Sequence, residues 1–160
     1  MSAEDQKSGR GIDFQAPDST APETETIKPK QIWIIDDNAE HIGAVLRSFR
    51  DKTNAELRYF QEGEKAIVEF EKLAADKQES PTIILMDYKL DDYVDSPKYH
   101  TGVEVMTRIR EIAQENGSPV PDFVAFSSES NYAQELLSAG ASSSVKKSDM
   151  GEIRNFFGTI

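Results

Sequence analysis

The sequence contains no cysteine, which excludes a disulfide framework and any thiol chemistry. It also has no apolar run long enough to span a membrane, and its N-terminus lacks the apolar core of a signal peptide. Basic residues are in the minority, with 18 Lys and Arg against 29 Asp and Glu, so the formal net charge is −11. This charge balance argues against a general nucleic-acid binder, which normally has a basic surface. We therefore expect a soluble, cytoplasmic protein with neither a nucleic-acid nor a membrane partner.

Residues 1–30 are poor in large apolar side chains and rich in Ser, Thr, Glu and Pro. Such a segment cannot bury enough apolar surface to offset the entropy lost on ordering, so it is predicted to be a disordered tail. Ile12 and Phe14 are the exceptions, and they are either incidental or part of a short docking motif. Residues 31–160 are long enough for one folded domain with a substantial core.

From Gln31 onward, short apolar runs alternate with helical patterns. The predicted strands are Gln31–Asp36, Ala55–Phe60, Thr82–Asp87, Asp122–Ser127 and Ser143–Lys146. The predicted helices are Asn38–Asp51, Glu62–Lys77, Gly102–Glu115, Asn131–Ala139 and Asp149–Phe157. Continuous apolar strands with helices between them are typical of a parallel sheet that is covered on both faces. The predicted fold class is α/β, with a five-stranded parallel sheet that is doubly wound in the flavodoxin-like manner.

Polar side chains stand where the predicted strands end. Asp36 and Asp37 follow the first apolar run, Asp87 ends the third, Ser127 ends the fourth, and Lys147 follows the fifth. The C-terminal strand ends of an open parallel sheet line one crevice, and ligands bind in that crevice. Three carboxylates that meet there repel one another unless a cation neutralises them. The pattern therefore indicates a hard divalent metal ion beside a carboxylate nucleophile.

This set of residues resembles the receiver domain of bacterial response regulators. The resemblance rests on the acidic pair Asp36-Asp37, on Asp87, Ser127 and Lys147 in that order, and on the run Ala139-Gly140-Ala141 before the fifth strand. It covers residues 31–160, the whole predicted domain. It implies the strand order 2-1-3-4-5 that is known for this fold.

The resemblance implies that Asp87 is the phosphoacceptor, whose carboxylate attacks a phosphoryl group and forms a mixed anhydride. It implies Mg²⁺ as the cofactor, held directly by Asp37, by Asp87 and by the main-chain carbonyl of Lys89, while Asp36 acts largely through water. Mg²⁺ suits such a site because it keeps several waters and uses few carboxylates.

The resemblance also assigns the remaining polar groups and the partners. Ser127 would hydrogen-bond one phosphoryl oxygen, and Lys147 would pair with another. The phosphodonor would be a histidine kinase or a histidine phosphotransfer protein. The protein would then be a signalling protein and not an enzyme. Because the sequence ends after the fifth predicted helix, we expect output through the folded surface, the tail or a phosphorelay, and not through an effector domain.

Three features depart from the family pattern. The stretch from Asp87 to Gly102 is longer than usual, and its extra residues, Asp91–His100, would lie over the site. This insertion would shield the phosphoryl group, select a partner or simply be tolerated. Ser144 stands where the family has an aromatic residue that takes part in its switch, and Ser148 replaces a common proline.

Other interpretations of the same residues stay open. Lys146 is a one-residue alternative to Lys147. Asp37 or Asn38 could simply cap the first helix. Ser127 could belong to a capping box of the fourth helix.

Two functional alternatives accompany these. A haloacid-dehalogenase-like phosphatase also uses an aspartate and Mg²⁺, but it requires an Asp-x-Asp pattern that Asp36-Asp37-Asn38 does not supply. A degenerate receiver would act only as a binding module. The resemblance places Lys89 and Glu129 beside the path of the attacking water, and their opposite charges predict an ion pair across the site entrance. His41 is predicted to lie on the exposed surface.

Overall fold

The computed structural model describes residues 30–160, where strands and helices alternate. The predicted disordered tail lies outside the described residues, apart from Lys30. The strands are β1 (Gln31–Ile35), β2 (Glu56–Phe60), β3 (Ile83–Met86), β4 (Asp122–Ser127) and β5 (Ser143–Lys146). The helices are α1 (Ala39–Phe49), α2 (Gly63–Ala75), α3 (Gly102–Asn116), α4 (Ser130–Ser138) and α5 (Met150–Gly158), with a 3-10 helix at Arg50–Lys52.

All neighbouring strands run parallel, and their order in the sheet is β2-β1-β3-β4-β5. This confirms the predicted doubly wound sheet and the strand order that the resemblance implied. The chain changes direction across the sheet between β1 and β3, so the crevice expected for a ligand lies at their C-terminal ends. Ile35 of β1 is in register with Met86 of β3. The acidic residues that follow these two strands therefore emerge side by side.

Apolar side chains cover both faces of the sheet. Alternate residues of β1 point to opposite sides, so Trp33 belongs to the core cluster formed with α2, α3 and α4, while Ile34 belongs to the one formed with α1 and α5. Both side chains are fully buried. Double-sided burial explains why β1, β3 and β4 are continuous apolar runs. Among residues 30–160, no helix is both long and apolar enough to cross a membrane.

Local signals set the two helix starts nearest the crevice. Asn38 caps α1, because its side chain accepts a hydrogen bond from the His41 amide at 3.1 Å. Thr101 caps α3 in a reciprocal capping box with Glu104. Of the two candidate caps for α1, Asn38 has this role, which leaves the Asp37 side chain available for other contacts.

The insertion between β3 and α3 is closed at its base. Lys89 and Thr101 form an isolated antiparallel bridge, and the Leu90 amide donates to the His100 carbonyl at 2.9 Å. Leu90 is buried in the same core cluster as α2 and α3. Residues 91–99 therefore form a closed loop whose two ends lie together beside the crevice.

Candidate functional site

Three buried aspartates meet at the C-terminal ends of β1 and β3. Asp36, Asp37 and Asp87 are 0%, 2% and 6% exposed. Each offers a carboxylate oxygen, and these oxygens all lie within 4.8 Å of one another. The parallel register of β1 and β3 produces this convergence, because residues that follow paired positions on adjacent strands are neighbours.

A lysine cation joins the three acids. Lys147 Nζ lies 2.8 Å from Asp36 Oδ2 and 3.1 Å from Asp87 Oδ1. The neighbouring Lys146 is exposed, and its amide donates to Glu152 Oε1 at the start of α5. Of the two candidate lysines, Lys147 is therefore the one that reaches the aspartates.

The close packing of like charges changes the protonation of the site. Burial, together with the negative charge of Asp36, raises the pKa of Asp87 to about 7, although Lys147 opposes the shift. Burial also raises the pKa of Asp37. Burial alone would lower the pKa of Lys147, but the charges of Asp36 and Asp87 outweigh it and raise that pKa. The cluster thus carries more negative charge than one lysine can balance.

Both carboxylate oxygens of Asp36 already have protein partners. Oδ1 accepts a hydrogen bond from the Asn38 amide at 2.8 Å, and Oδ2 accepts one from Lys147. The peptide carbonyl of Asp36 accepts a further hydrogen bond from the Tyr59 hydroxyl at 2.7 Å. Each carboxylate oxygen of Asp36 therefore already has one hydrogen-bond partner within the protein.

Asp37 and Asp87 differ from Asp36 in this respect. Asp87 Oδ1 accepts from the Tyr88 amide and from Lys147, and Asp37 Oδ2 accepts from backbone amides of the insertion. Asp37 Oδ1 and Asp87 Oδ2 have no hydrogen-bond partner among residues 30–160. An open oxygen on each of two acids, in a cluster of three carboxylates, fits a hard cation that takes few protein ligands.

The backbone at Lys89 offers a third oxygen. In the Lys89–Thr101 bridge the hydrogen bonds run from Leu90 to His100 and from Gly102 to Tyr88, so the peptide groups of Lys89 itself point away from Thr101. The Lys89 carbonyl accepts no hydrogen bond from residues 30–160, and Lys89 lines the same cavity as Asp37 and Asp87. This carbonyl is thus available as a ligand.

A cavity of about 200 Å³ gives access to the acids. The side chains that line it include Asp37, Asp87, Ser127, Tyr132 and Lys147. Ser127 is buried at the end of β4, and its Oγ accepts a hydrogen bond from the Glu129 amide at 3.2 Å. The N-cap residue of α4 is Glu129, and no side chain caps the helix. Ser127 is therefore not part of a capping box.

The structure places two other residues differently from the prediction. Lys89 Nζ pairs with Asp92 Oδ1 at 3.1 Å and not with Glu129, because the insertion brings Asp92 within reach. His41 is half-buried and not exposed: its ring centroid lies 6.4 Å from that of Phe126, and its Nε2 atom is buried without a partner among the described residues.

Several site contacts were absent from the sequence prediction. The Asp92 and Tyr93 amides donate to Asp37 Oδ2, and the Gln61 side chain donates to the Asp37 carbonyl at 3.1 Å. Tyr59 supports Asp36 in the same way, and burial next to the acids raises the pKa of its hydroxyl. No sequence motif marks these groups. Only the unusual length of the insertion gave a hint.

No protein-family model matches this sequence, and no curated protein matches it. Solved structures do match. The receiver domain of the histidine kinase CKI1 from Arabidopsis thaliana complexed with Mg²⁺ has a TM-score of 0.60 at 19% identity, over 79% of this chain and 88% of that chain. The same domain with Mg²⁺ and BeF₃⁻ has a TM-score of 0.62 at 18% identity, over 79% and 85%.

A bacterial structure shows the same likeness. The Vibrio cholerae chemotaxis protein CheY4 has a TM-score of 0.58 at 18% identity, over 82% of this chain and 98% of that chain. Together with the strand order, these matches define the class of the fold. The protein has the receiver-domain, CheY-like fold, with an acidic triad at the crevice of its sheet.

Proposed function

We propose that the protein is a phosphorylatable receiver that takes a phosphoryl group on Asp87 from a histidine kinase or a histidine phosphotransfer protein. One observation carries the proposal: Asp87 lines the cavity together with Asp37 and Lys147, and its Oδ1 lies 3.1 Å from Lys147 Nζ, while its Oδ2 accepts no hydrogen bond from residues 30–160. An anionic nucleophile next to fixed cationic groups is what phosphoryl transfer requires of a protein.

The transfer step follows from this arrangement. An oxygen of the Asp87 carboxylate attacks phosphorus and forms a new O–P bond. The P–N bond to the donor imidazole breaks, and the imidazole leaves with the electron pair and takes up a proton. Ser127 would donate to one phosphoryl oxygen, and Lys147 would pair with another. The product is an acyl phosphate on the protein.

Mg²⁺ is the cofactor that the donor set supports. It would be held directly by three groups, Asp37, Asp87 and the Lys89 carbonyl. Asp36 would interact with it through a water molecule. When bound, the ion neutralises charge that develops on the phosphoryl oxygens. The CKI1 receiver domain, which has a similar fold, was solved in complex with Mg²⁺.

The proposed output is protein–protein interaction and not turnover of a substrate. In this proposal residues 31–160 are the receiver domain, residues 1–30 are a tail, and the protein works in the cytoplasm.

The first prediction tests the acceptor. Incubation with acetyl phosphate and Mg²⁺ should add one phosphoryl group, detected by intact mass, that is stable in acid and labile in base. Asp87→Asn should lose this modification, because the amide is not a comparable nucleophile. Asp122→Asn is the matched control, since Asp122 is an exposed aspartate at the other end of the sheet, at the start of β4. Undiminished labelling of Asp87→Asn would remove Asp87 from its proposed role.

A further inference from the structure

The insertion contributes directly to the acidic cluster. The backbone amides of Asp92 and Tyr93 donate to Asp37 Oδ2 at 2.7 and 3.0 Å. Two amides on one oxygen fix the rotation of the carboxylate about its terminal bond. The other oxygen, Oδ1, accepts no hydrogen bond from residues 30–160 and stays free for a ligand.

The loop that carries these amides is anchored at several points. The Lys89–Thr101 bridge closes its base, Leu90 is buried beneath it, and Lys89 pairs with Asp92. Its far side lies beside the start of α2, and residues 94–99 and the helix line a pocket of about 30 Å³. A Cβ built on Gly63 would lie 3.6 Å from Tyr99 Cβ, which shows how close the loop and the helix are.

We propose that the insertion is a built part of the metal site, and that the Asp92 and Tyr93 amides are positioning groups for Asp37. This inference rests on the proposed function, because it assumes that Asp37 binds the cation. Carboxylate ligands are usually held by hydrogen bonds to their second oxygen, and loss of such a partner typically lowers metal affinity about 10- to 100-fold.

Because the donors are backbone groups, proline variants test them selectively. Proline has no amide hydrogen, so Tyr93→Pro removes one of the two hydrogen bonds alone, while Asp92→Pro removes the other together with the Lys89–Asp92 ion pair. Asp95→Pro is the matched control: it lies in the same loop, and its amide makes no hydrogen bond with residues 30–160. Asp92→Pro and Asp95→Pro both remove one carboxylate, so their charge change is the same.

The readout is Mg²⁺ affinity measured by isothermal titration calorimetry, with the thermal midpoint in EDTA as the check on folding. We expect Tyr93→Pro and Asp92→Pro to bind Mg²⁺ about tenfold more weakly than wild type. We expect Asp95→Pro to stay within about twofold of wild type. Equal affinity in the three variants overturns the inference.

A loop replacement tests the same inference in case a proline variant does not fold. Exchange of residues 91–99 for Asn-Gly keeps the Lys89–Thr101 bridge and removes both donors. The same weakening is expected, and wild-type affinity in this variant contradicts the inference. If wild type binds Mg²⁺ and is phosphorylated on Asp87 while these variants bind normally, only the inference fails. If wild type shows neither property, the proposed function fails as well.

Discussion

At the scale of single residues, the central feature is the environment of Asp87. Burial and the charge of Asp36 favour its neutral form, while Lys147 favours its anion, and the result is a pKa of about 7. Only the carboxylate anion is a nucleophile. A cation bound beside Asp87 would therefore increase the fraction of the protein that can react at neutral pH.

This environment predicts how stability depends on pH in the absence of metal. The pKa of Asp87 is about 7 in the folded protein, against 3.8 for an ordinary aspartate, so the folded state holds this proton more tightly than the unfolded chain does. The stabilisation of the folded state by the proton on Asp87 is therefore fully present below pH 3.8 and is lost as the pH rises towards 7. Asp87→Asn cannot ionise, and it should raise the free energy of unfolding at pH 8 by on the order of 1–3 kcal/mol.

Urea denaturation in EDTA at pH 5 and pH 8 measures this effect. The stabilisation by Asp87→Asn should be smaller at pH 5, because only the part of the loss that develops between pH 3.8 and pH 5 is present there. Asp122→Asn serves again as the control, since its side chain is exposed. A gain of equal size at both pH values would contradict the assignment of the shift to Asp87.

At the scale of secondary-structure elements, the approach of α3 to β3 shapes the site. Gly102 is the first residue of α3, and its amide donates to the Tyr88 carbonyl at 2.7 Å. A Cβ at this position would overlap the Asp87 carbonyl oxygen and would lie 2.6 Å from Met86 Cγ. Glycine is needed here for space and not for an unusual backbone angle.

Gly102→Ala should therefore destabilise the protein by about 1–3 kcal/mol, because either α3 or the end of β3 must move. The measurement is the urea midpoint at constant m-value. Gly158→Ala is the matched control, because a Cβ at this helical position meets nothing within 4 Å. Its effect should be neutral or slightly stabilising. Equal effects of the two substitutions would show that the close approach at Gly102 is not tight.

At the scale of the whole molecule, metal binding and folding should be coupled. The acids meet only in the folded chain, so a cation binds the folded state preferentially and raises its stability. At a Mg²⁺ concentration about ten times the dissociation constant, the expected gain is about 1.4 kcal/mol. Thermal unfolding with Mg²⁺ and with EDTA measures this gain.

Variants of Asp36 and Asp37 should distinguish a residue that binds Mg²⁺ directly from one that contributes indirectly. Asp37→Ala should abolish most of the Mg²⁺-dependent gain, because it removes an open carboxylate oxygen. Asp36→Ala should reduce the gain less, because both Asp36 oxygens are already bonded within the protein. A double Asp36→Ala/Asp37→Ala variant that gains as much as wild type would rule out this metal site.

Much of the fold could be predicted from sequence because the signals are local. Apolar periodicity identified the five strands and five helices, and the boundaries differ from the structure by at most a few residues. The end of α3 is also set by a local signal, because its C-cap residue is Gly117 in the left-handed conformation, at a φ of 65°. The parallel register then placed Asp36 beside Asp87, with Asp37 next along the chain, since residues that follow paired positions on adjacent parallel strands must be neighbours.

Only the tertiary structure decides which polar groups form hydrogen bonds with which aspartate. The Lys147–Asp36 hydrogen bond joins residues 111 positions apart, and the Asp92–Asp37 hydrogen bond joins residues 55 apart. Which lysine reaches the acids, which carboxylate oxygens stay open and where the insertion lies depend on distances of a few ångströms between such remote segments. Sequence patterns report periodicity and chemistry along the chain, and they carry no measure of those distances.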